Sequence, residues 1–188
     1  MTDLVLRLAT PDDVPALGRL ISESVRGLNA GHYSDAQIES ALRFVFGVDS
    51  QLIADGSYYL IESASGPVAG GGWSGRATLY GGDQHKSSPD VRLDPAIESA
   101  RIRAFFVHPD WARRGLARRL FEACLDAART AGFRSLELGA TLPGVPLYTA
   151  LGFTAHERMD AFMPDGSVLP VIRMSRLIDD AGSTARRR

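Results

Sequence analysis

One short segment, residues 107–117, combines main-chain and side-chain features that suit a phosphate ligand. It runs from the end of a predicted strand, through a turn, to Gly115, which stands at the start of a predicted amphipathic helix. The first amides of a helix lack partners within the helix and the dipole there is positive, so such an end binds phosphate. Gly115 and Ala117 are small enough to let an anion approach the main chain. Arginines flank them: Arg113, Arg114, Arg118 and Arg119. The segment predicts a pyrophosphate site, with an ordinary helix start carrying surface arginines as the alternative.

Composition limits the kinds of protein that this chain can be. Its 188 residues fit a single domain. Basic residues number 21 and acidic residues 22, for a net charge of -1, so the basic excess of a dedicated nucleic-acid binder is missing. No apolar run reaches the ~18 residues that a membrane span needs, and the polar start does not predict a signal peptide. A single cysteine, Cys124, excludes an internal disulfide and a cysteine-based zinc site. We therefore expect a cytoplasmic protein that binds neither nucleic acid nor a membrane.

Alternating and helical hydrophobic patterns predict the elements that must position the phosphate segment. Strands are predicted at residues 4–8, 58–62, 68–73, 101–107 and 135–139, followed by a hairpin at 153–161 and 167–177. Helices are predicted after Thr10, ending near Gly27; after the capping box of Ser34 and Gln37; after Gly115; and, as a short proline-containing helix, at residues 146–151. Three consecutive glycines, Gly70 to Gly72, indicate a bend or a close approach of a ligand or backbone. Residues 75–97 form a long loop, which is usually functional or mobile.

Two blocks resemble the motifs of the GNAT superfamily of N-acyltransferases. Residues 107–117 are similar to its acyl-CoA-binding motif, Val-x-Pro and then Arg/Gln-x-x-Gly-x-Gly/Ala, and residues 146–153 are similar to its Tyr-x-x-x-Gly-Phe block. The first Arg/Gln of that pattern is Ala112 here, and an asparagine frequent in the family is Thr141. The resemblance implies a mixed α/β (α+β) fold: a mostly antiparallel sheet of about 6–7 strands with a splayed parallel pair, flanked by about four helices. This domain would span residues 1–177, with 178–188 as a polar, disordered tail.

The resemblance also implies a cosubstrate site for acetyl-CoA, with no metal. Acetyl-CoA would lie where strands 101–107 and 135–139 diverge, its pantetheine arm bonded to the main chain like an added strand. The cofactor-binding residues implied are Phe105, Phe106, Val107, Arg113, Arg114, Gly115, Leu116, Ala117 and Arg118. Tyr148 resembles the general acid that protonates the leaving thiolate. The implied activity is N-acetyl transfer to a primary amine of a small molecule or peptide.

The amine site is less constrained by the sequence. We expect His32, Tyr33, Trp73 and Arg103 to contact the acceptor. The general base is unassigned among five candidates: Glu23, His32, Asp83, His85 and Glu98. Two alternatives stay open at this point. One concerns function: the chain could instead be a non-catalytic module that binds or senses acyl-CoA on the same fold. The other concerns assembly, since many relatives are homodimers.

Overall fold

The computed structural model describes residues 3–86 and 90–178, which form one seven-stranded sheet between two layers of helices. The strands are β1 (Val5–Leu8), β2 (Tyr58–Ser63), β3 (Gly66–Ser74), β4 (Ala100–Val107), β5 (Ser135–Thr141), β6 (Thr154–Phe162) and β7 (Val168–Leu177). Their order across the sheet is β1-β2-β3-β4-β5-β7-β6. Every neighbouring pair is antiparallel except β4 and β5. The chain between β4 and β5 is therefore a βαβ crossover, as the pattern over residues 101–139 predicts.

Helices cover both faces of this sheet. They are α1 (Val14–Asn29), α2 (Asp35–Phe44), α3 (Ser50–Ala54), α4 (Leu116–Thr130) and α5 (Val145–Ala150). Buried side chains of α1, α2 and α3 pack on one face, and those of α4 pack on the other, where α5 also lies. The predicted fold class is confirmed, with five helices in the described residues where about four were expected. The unexpected helix is α3, a single short turn that Asp49 caps by accepting from the Leu52 amide.

Gly27 does not end α1, contrary to the sequence-based expectation. The helix continues to Asn29, and a Cβ placed on Gly27 would lie 2.4 Å from Cγ of Pro109. The glycine is therefore required where the helix touches the turn before α4. Helix termination and close packing both select glycine, and only the three-dimensional neighbours distinguish them.

A bulge in β4 separates it from β5. Ala104 and Phe105 stand opposite the single residue Gly71 of β3, and Ala104 adopts a positive φ of 57°. Parallel pairing with β5 is limited to Ala100↔Leu136 and Arg101↔Glu137. The extra residue of a bulge bends its strand, and β4 and β5 diverge beyond these two pairs. This is the splayed parallel pair that the resemblance implied.

The end of the described chain extends slightly beyond the predicted domain boundary. Ile178 is 9% exposed, packs in the core on the α4 face, and donates its amide to the Arg134 carbonyl at 2.9 Å. Ile178 therefore belongs to the folded unit instead of the tail. The rest of the predicted tail, residues 179–188, lies outside the described residues.

Candidate active site

A cavity opens where β4 and β5 diverge and passes through the sheet. Its volume is about 200 Å³. Its walls come from β4, the end of β5, the C-terminal half of α1, the loop at residues 79–82 and the α5 region. Phe105 packs on the α4 face and Phe106 on the face of α1 and α2, so consecutive β4 side chains line the two ends of the cavity.

The turn before α4 has the geometry of an anion site. Arg113 and Gly115 both adopt positive φ, at 61° and 81°, and no described group accepts a hydrogen bond from the amides of residues 113–118. Gly115 caps α4 with open space around its Cα. Arg113, Arg114 and Arg118 are exposed beside it, with Leu116 buried beneath and Ala117 lining the cavity. Successive free amides around such a turn suit a pyrophosphate, so these residues fit the phosphates of coenzyme A.

The cavity brings together Tyr148 and the three β4 residues expected to bind the cosubstrate. Tyr148 lies on α5, with its ring centroid 6.4 Å from that of Phe105 and 5.8 Å from that of Phe153. Burial, and to a smaller extent the proximity of Cys124, raises the pKa of the Tyr148 phenol. The hydroxyl therefore carries its proton at neutral pH, which a proton donor to a leaving thiolate requires.

The Gly70–Gly72 run of β3 leaves room for this arrangement. A Cβ on Gly71 would lie 2.2 Å from Cδ1 of Phe105, and one on Gly72 would lie 2.6 Å from the Ser57 carbonyl oxygen. The expectation of a close approach is thus met by protein atoms.

The main-chain amide of Val107 was expected to bind the pantetheine arm. It instead donates to Oγ of Ser24 at 3.1 Å and is not free for a ligand.

Arg103 occupies a different environment from the one expected of an acceptor-binding residue. Its side chain is 1% exposed, with Nη2 at 2.8 Å from Asp49 Oδ2 and Nη1 at 3.6 Å from Asp90 Oδ2. Lys86 completes the cluster at 2.5 Å from Asp49 Oδ1. Arg103 also donates to the Gly81 carbonyl. Arg103 lines the cavity, but the protein's own carboxylates compensate its charge. Its side chain fastens the loop at Gly81 to β4.

The three other predicted acceptor contacts are not brought to the cavity. Tyr33 is 7% exposed, donates to the Pro170 carbonyl at 2.7 Å and accepts from the Leu142 amide at 2.8 Å. Trp73 packs against Phe133 at 6.1 Å between ring centroids, within the core on the α4 face. His32 is exposed in the turn after α1. None of the three is among the cavity-lining residues, so the structure gives Tyr33 and Trp73 structural positions and leaves His32 outside.

The candidate bases are likewise dispersed. Glu98 accepts from the Asp94 amide at 2.7 Å, Asp83 from the Ser50 amide at 3.0 Å, and Glu23 lies 3.4 Å from Nε2 of His108. His85 stacks on Tyr80 at 5.1 Å between centroids, and its pKa is lowered chiefly by burial and further by Arg103. None of these side chains lines the cavity.

Several cavity-lining residues were not predicted from the sequence. These are Ser24 and Asn29 of α1, Phe46 after α2, and Tyr80 of the long loop. The loop's length and its lack of periodicity marked it as functional, which was the available signal for Tyr80. Ser24 and Asn29 continue the buried stripe of α1, so their polar side chains on an apolar face were the signal for those two.

Comparisons with known proteins agree with this geometry. Residues 95–169 match the family model of the acetyltransferase (GNAT) domain. A GCN5-related N-acetyltransferase from Rhodopseudomonas palustris is 20% identical, with a TM-score of 0.68 over 94% of this chain and 97% of that one. The PaiA N-acetyltransferase from Thermoplasma acidophilum, solved with coenzyme A, is 12% identical, with a TM-score of 0.62 over 93% and 99%.

A further solved structure is YncA, a putative acetyltransferase from Salmonella typhimurium with its cofactor acetyl-CoA. It is 17% identical, with a TM-score of 0.60 over 96% of each chain. No curated protein matches the sequence. The chain thus has the fold of the GCN5-related N-acetyltransferases and carries a match to the GNAT domain across the phosphate turn, α4, β5 and α5.

The described residues hold neither a membrane-spanning helix nor a metal-binding cluster. Within residues 3–86 and 90–178, no helix has the length and apolarity to cross a membrane. Across the same ranges, no group of three or more His, Cys, Asp or Glu side chains is arranged to hold a metal ion. Cys124 is buried, and desolvation raises the pKa of its thiol.

Proposed function

We propose that the chain is an acetyl-CoA-dependent N-acetyltransferase that acetylates a primary amine of a small molecule or peptide. The observation that carries this proposal is the divergence of β4 and β5 directly beside a turn of free amides. The turn suits the pyrophosphate of acetyl-CoA, and the gap between the strands suits the extended pantetheine arm. The cavity continues to the opposite face of the sheet, which gives an amine a separate approach to the thioester.

The chemistry requires no nucleophile from the protein. The amine nitrogen attacks the thioester carbonyl carbon, the carbon–sulfur bond breaks, and the nitrogen loses a proton to solvent. Tyr148 supplies a proton to the departing sulfur and regains one from solvent. The products are an N-acetylated amine and coenzyme A, so atoms and charge balance. Cys124 takes no part, because it is buried in the core beneath α4.

The role of Tyr148 is tested by the variant Tyr148→Phe, with Tyr59→Phe as its control. Tyr59 is also a half-buried tyrosine packed on the α4 face, but it does not line the cavity. Removing a general acid lowers turnover by about 100-fold or more. We expect that loss in kcat for Tyr148→Phe, with little change in the KM for acetyl-CoA, and neither effect for Tyr59→Phe. Unchanged kcat together with weakened binding of acetyl-CoA would contradict the assignment.

The cosubstrate site is tested by Gly115→Glu, with Gly166→Glu as its control. Both glycines have positive φ, 81° and 84°, and both have open space around the Cα, so backbone strain is matched. Only Gly115 lies at the turn before α4, where a carboxylate would repel a pyrophosphate. Calorimetry with acetyl-CoA should show binding lost in Gly115→Glu and kept in Gly166→Glu. Normal binding in the first variant would move the phosphate site elsewhere.

The alternative, a non-catalytic acyl-CoA-binding module on the same fold, rests on the absence of an obvious base among the described cavity-lining residues. Both functions predict that acetyl-CoA binds. Only the enzyme releases free coenzyme A when amines are added, which a thiol reagent detects. Tight binding without thiol release across a panel of amines would favour the module.

A further inference from the structure

The end of the cavity on the α1 and α2 face is aromatic. Phe46 and Phe106 meet edge to face, with ring centroids 6.0 Å apart. Tyr80 joins the same cluster, and its ring lies on β5, where a Cβ on Gly139 would be 3.1 Å from Tyr80 Cδ1. All three aromatic residues line the cavity. Phe106 belongs to β4 beyond the bulge, so this end adjoins the part of the strand where the thioester is expected.

This aromatic end is short of negative charge. Among the described residues that line the cavity, none carries a carboxylate and Arg103 is the one that is charged. The charge of Arg103 is already matched by Asp49 and Asp90, at 2.8 and 3.6 Å. A second ammonium on a substrate would therefore enter without a counterion, and an unpaired buried charge is strongly unfavourable.

Asn29, a neutral side chain among those that line the cavity, does not replace the missing carboxylate. Asn29 is 7% exposed and donates Nδ2 to the Val25 carbonyl at 2.9 Å, which fixes the orientation of its amide. Its Oδ1 receives no hydrogen bond from any described group. This oxygen is also shut off from solvent, so Asn29 gives a substrate ammonium no partner in the cavity.

From these contacts we infer that the acceptor is a compact monoamine with an apolar body. This inference rests on the proposed acetyl transfer and names its substrate class. Burial of the apolar body against Phe46, Tyr80 and Phe106 supplies affinity. Polyamines are disfavoured because their additional ammonium groups lack partners. Amino acids are disfavoured because the protein's own carboxylates already compensate Arg103.

The inference is tested with matched pairs of amines and acetyl-CoA, with release of coenzyme A as the measurement. n-Pentylamine and 1,4-diaminobutane are similar in size and differ by one ammonium; 2-phenylethylamine and phenylalanine differ by one carboxylate. We expect kcat/KM to favour the monoamine of each pair, by about 100-fold over the diamine. A preference for the diamine or for phenylalanine would overturn the inference while leaving acetyl transfer intact.

Two variants connect that preference to the cavity. Phe46→Ala should raise the KM for n-pentylamine by about 10-fold and leave the KM for acetyl-CoA unchanged. Phe44→Ala is the matched control, since Phe44 packs in the same cluster without lining the cavity. Leu28→Asp places a carboxylate at an exposed lining position and so carries little risk to folding. It should shift the selectivity ratio toward 1,4-diaminobutane by about 5-fold.

Failure of the proposed function is distinguishable from failure of this inference. If no amine releases coenzyme A, acetyl transfer is refuted, and calorimetry of the same four amines with the coenzyme A complex then decides the binding preference. Tighter binding of n-pentylamine than of 1,4-diaminobutane, and of 2-phenylethylamine than of phenylalanine, would uphold an apolar monoamine site. Equal or reversed binding would refute it.

Discussion

The packing of Gly71 against Phe105 makes a sharp prediction about the bulge in β4. In the variant Gly71→Ala, the new methyl group would lie 2.2 Å from Cδ1, 2.6 Å from Cε1 and 2.8 Å from Cγ of the Phe105 ring. These atoms belong to the body of the ring, so rotation of a flexible end cannot relieve the contact. Phe105 must therefore shift, and its ring lines the cavity beside Tyr148.

The size of the effect follows from overpacking. Forcing extra atoms into a packed site costs about 1–3 kcal/mol, which for a chain of this length lowers Tm by roughly 2–12 °C. The matched control is Gly18→Ala in α1, where a Cβ meets no atom within 4 Å and φ is not positive. There the same substitution improves helix propensity and should stabilise the protein by about 0.5–1 kcal/mol.

Thermal unfolding and the KM for acetyl-CoA test both parts of this prediction. We expect Gly71→Ala to lower Tm and to raise KM, because Phe105 lies where the pantetheine arm is proposed to bind. Gly18→Ala should keep KM unchanged. If Gly71→Ala retained both Tm and KM, the Phe105 ring would not occupy the position described, and the geometry of the bulge would need revision.

Two other predictions concern residues that the structure removes from the acceptor site. Tyr33→Phe loses a hydroxyl that hydrogen-bonds to both Pro170 and Leu142. The free energy of unfolding should therefore fall by about 1–3 kcal/mol, with the KM for the amine unchanged. A raised KM without lost stability would restore Tyr33 to the acceptor site. The pKa of His85 is lowered from 6.5 in the folded protein, so as pH falls the unfolded chain takes up a proton at this residue first. The contribution of neutral His85 to stability is therefore fully present above about pH 6.5 and declines below it. Urea unfolding at pH 7.5 and 5.5 should show a smaller decline in His85→Gln than in the parent, and equal declines would mean that His85 is not buried in its neutral form.

The parts of the fold that depend on local patterns were predictable. The capping box at Ser34 and Gln37 forms at the start of α2, because both of its partners lie within one turn. The strands on either side of α4 were recognised from their own hydrophobic pattern, and their parallel pairing follows from the crossover between them. The free amides before α4 depend on glycine and helix polarity, which the sequence displays directly.

Contacts between residues distant in sequence decided the rest. Arg103 meets Asp49 and Asp90, which come from the α2–α3 connection and the long loop, and no spacing rule pairs them. Trp73 lies in the core on the α4 face, because side chains along β3 alternate between the two faces of the sheet. The sequence did not show which of these positions would adjoin the cavity. Tyr80 entered the site from a loop without periodicity.

The shortness of the β4–β5 ladder has a mechanical consequence. Strands β1 to β4 and strands β5 to β7 share two residue pairs, assisted by the Ser99–Ser135 contact at 2.7 Å and the Arg101–Glu137 ion pair. The seam between these two halves of the sheet therefore has little main-chain continuity. An extended ligand in the gap would supply the main-chain hydrogen bonds that β4 and β5 do not make with each other. Ligand binding should therefore stiffen the whole sheet and make its two halves unfold cooperatively.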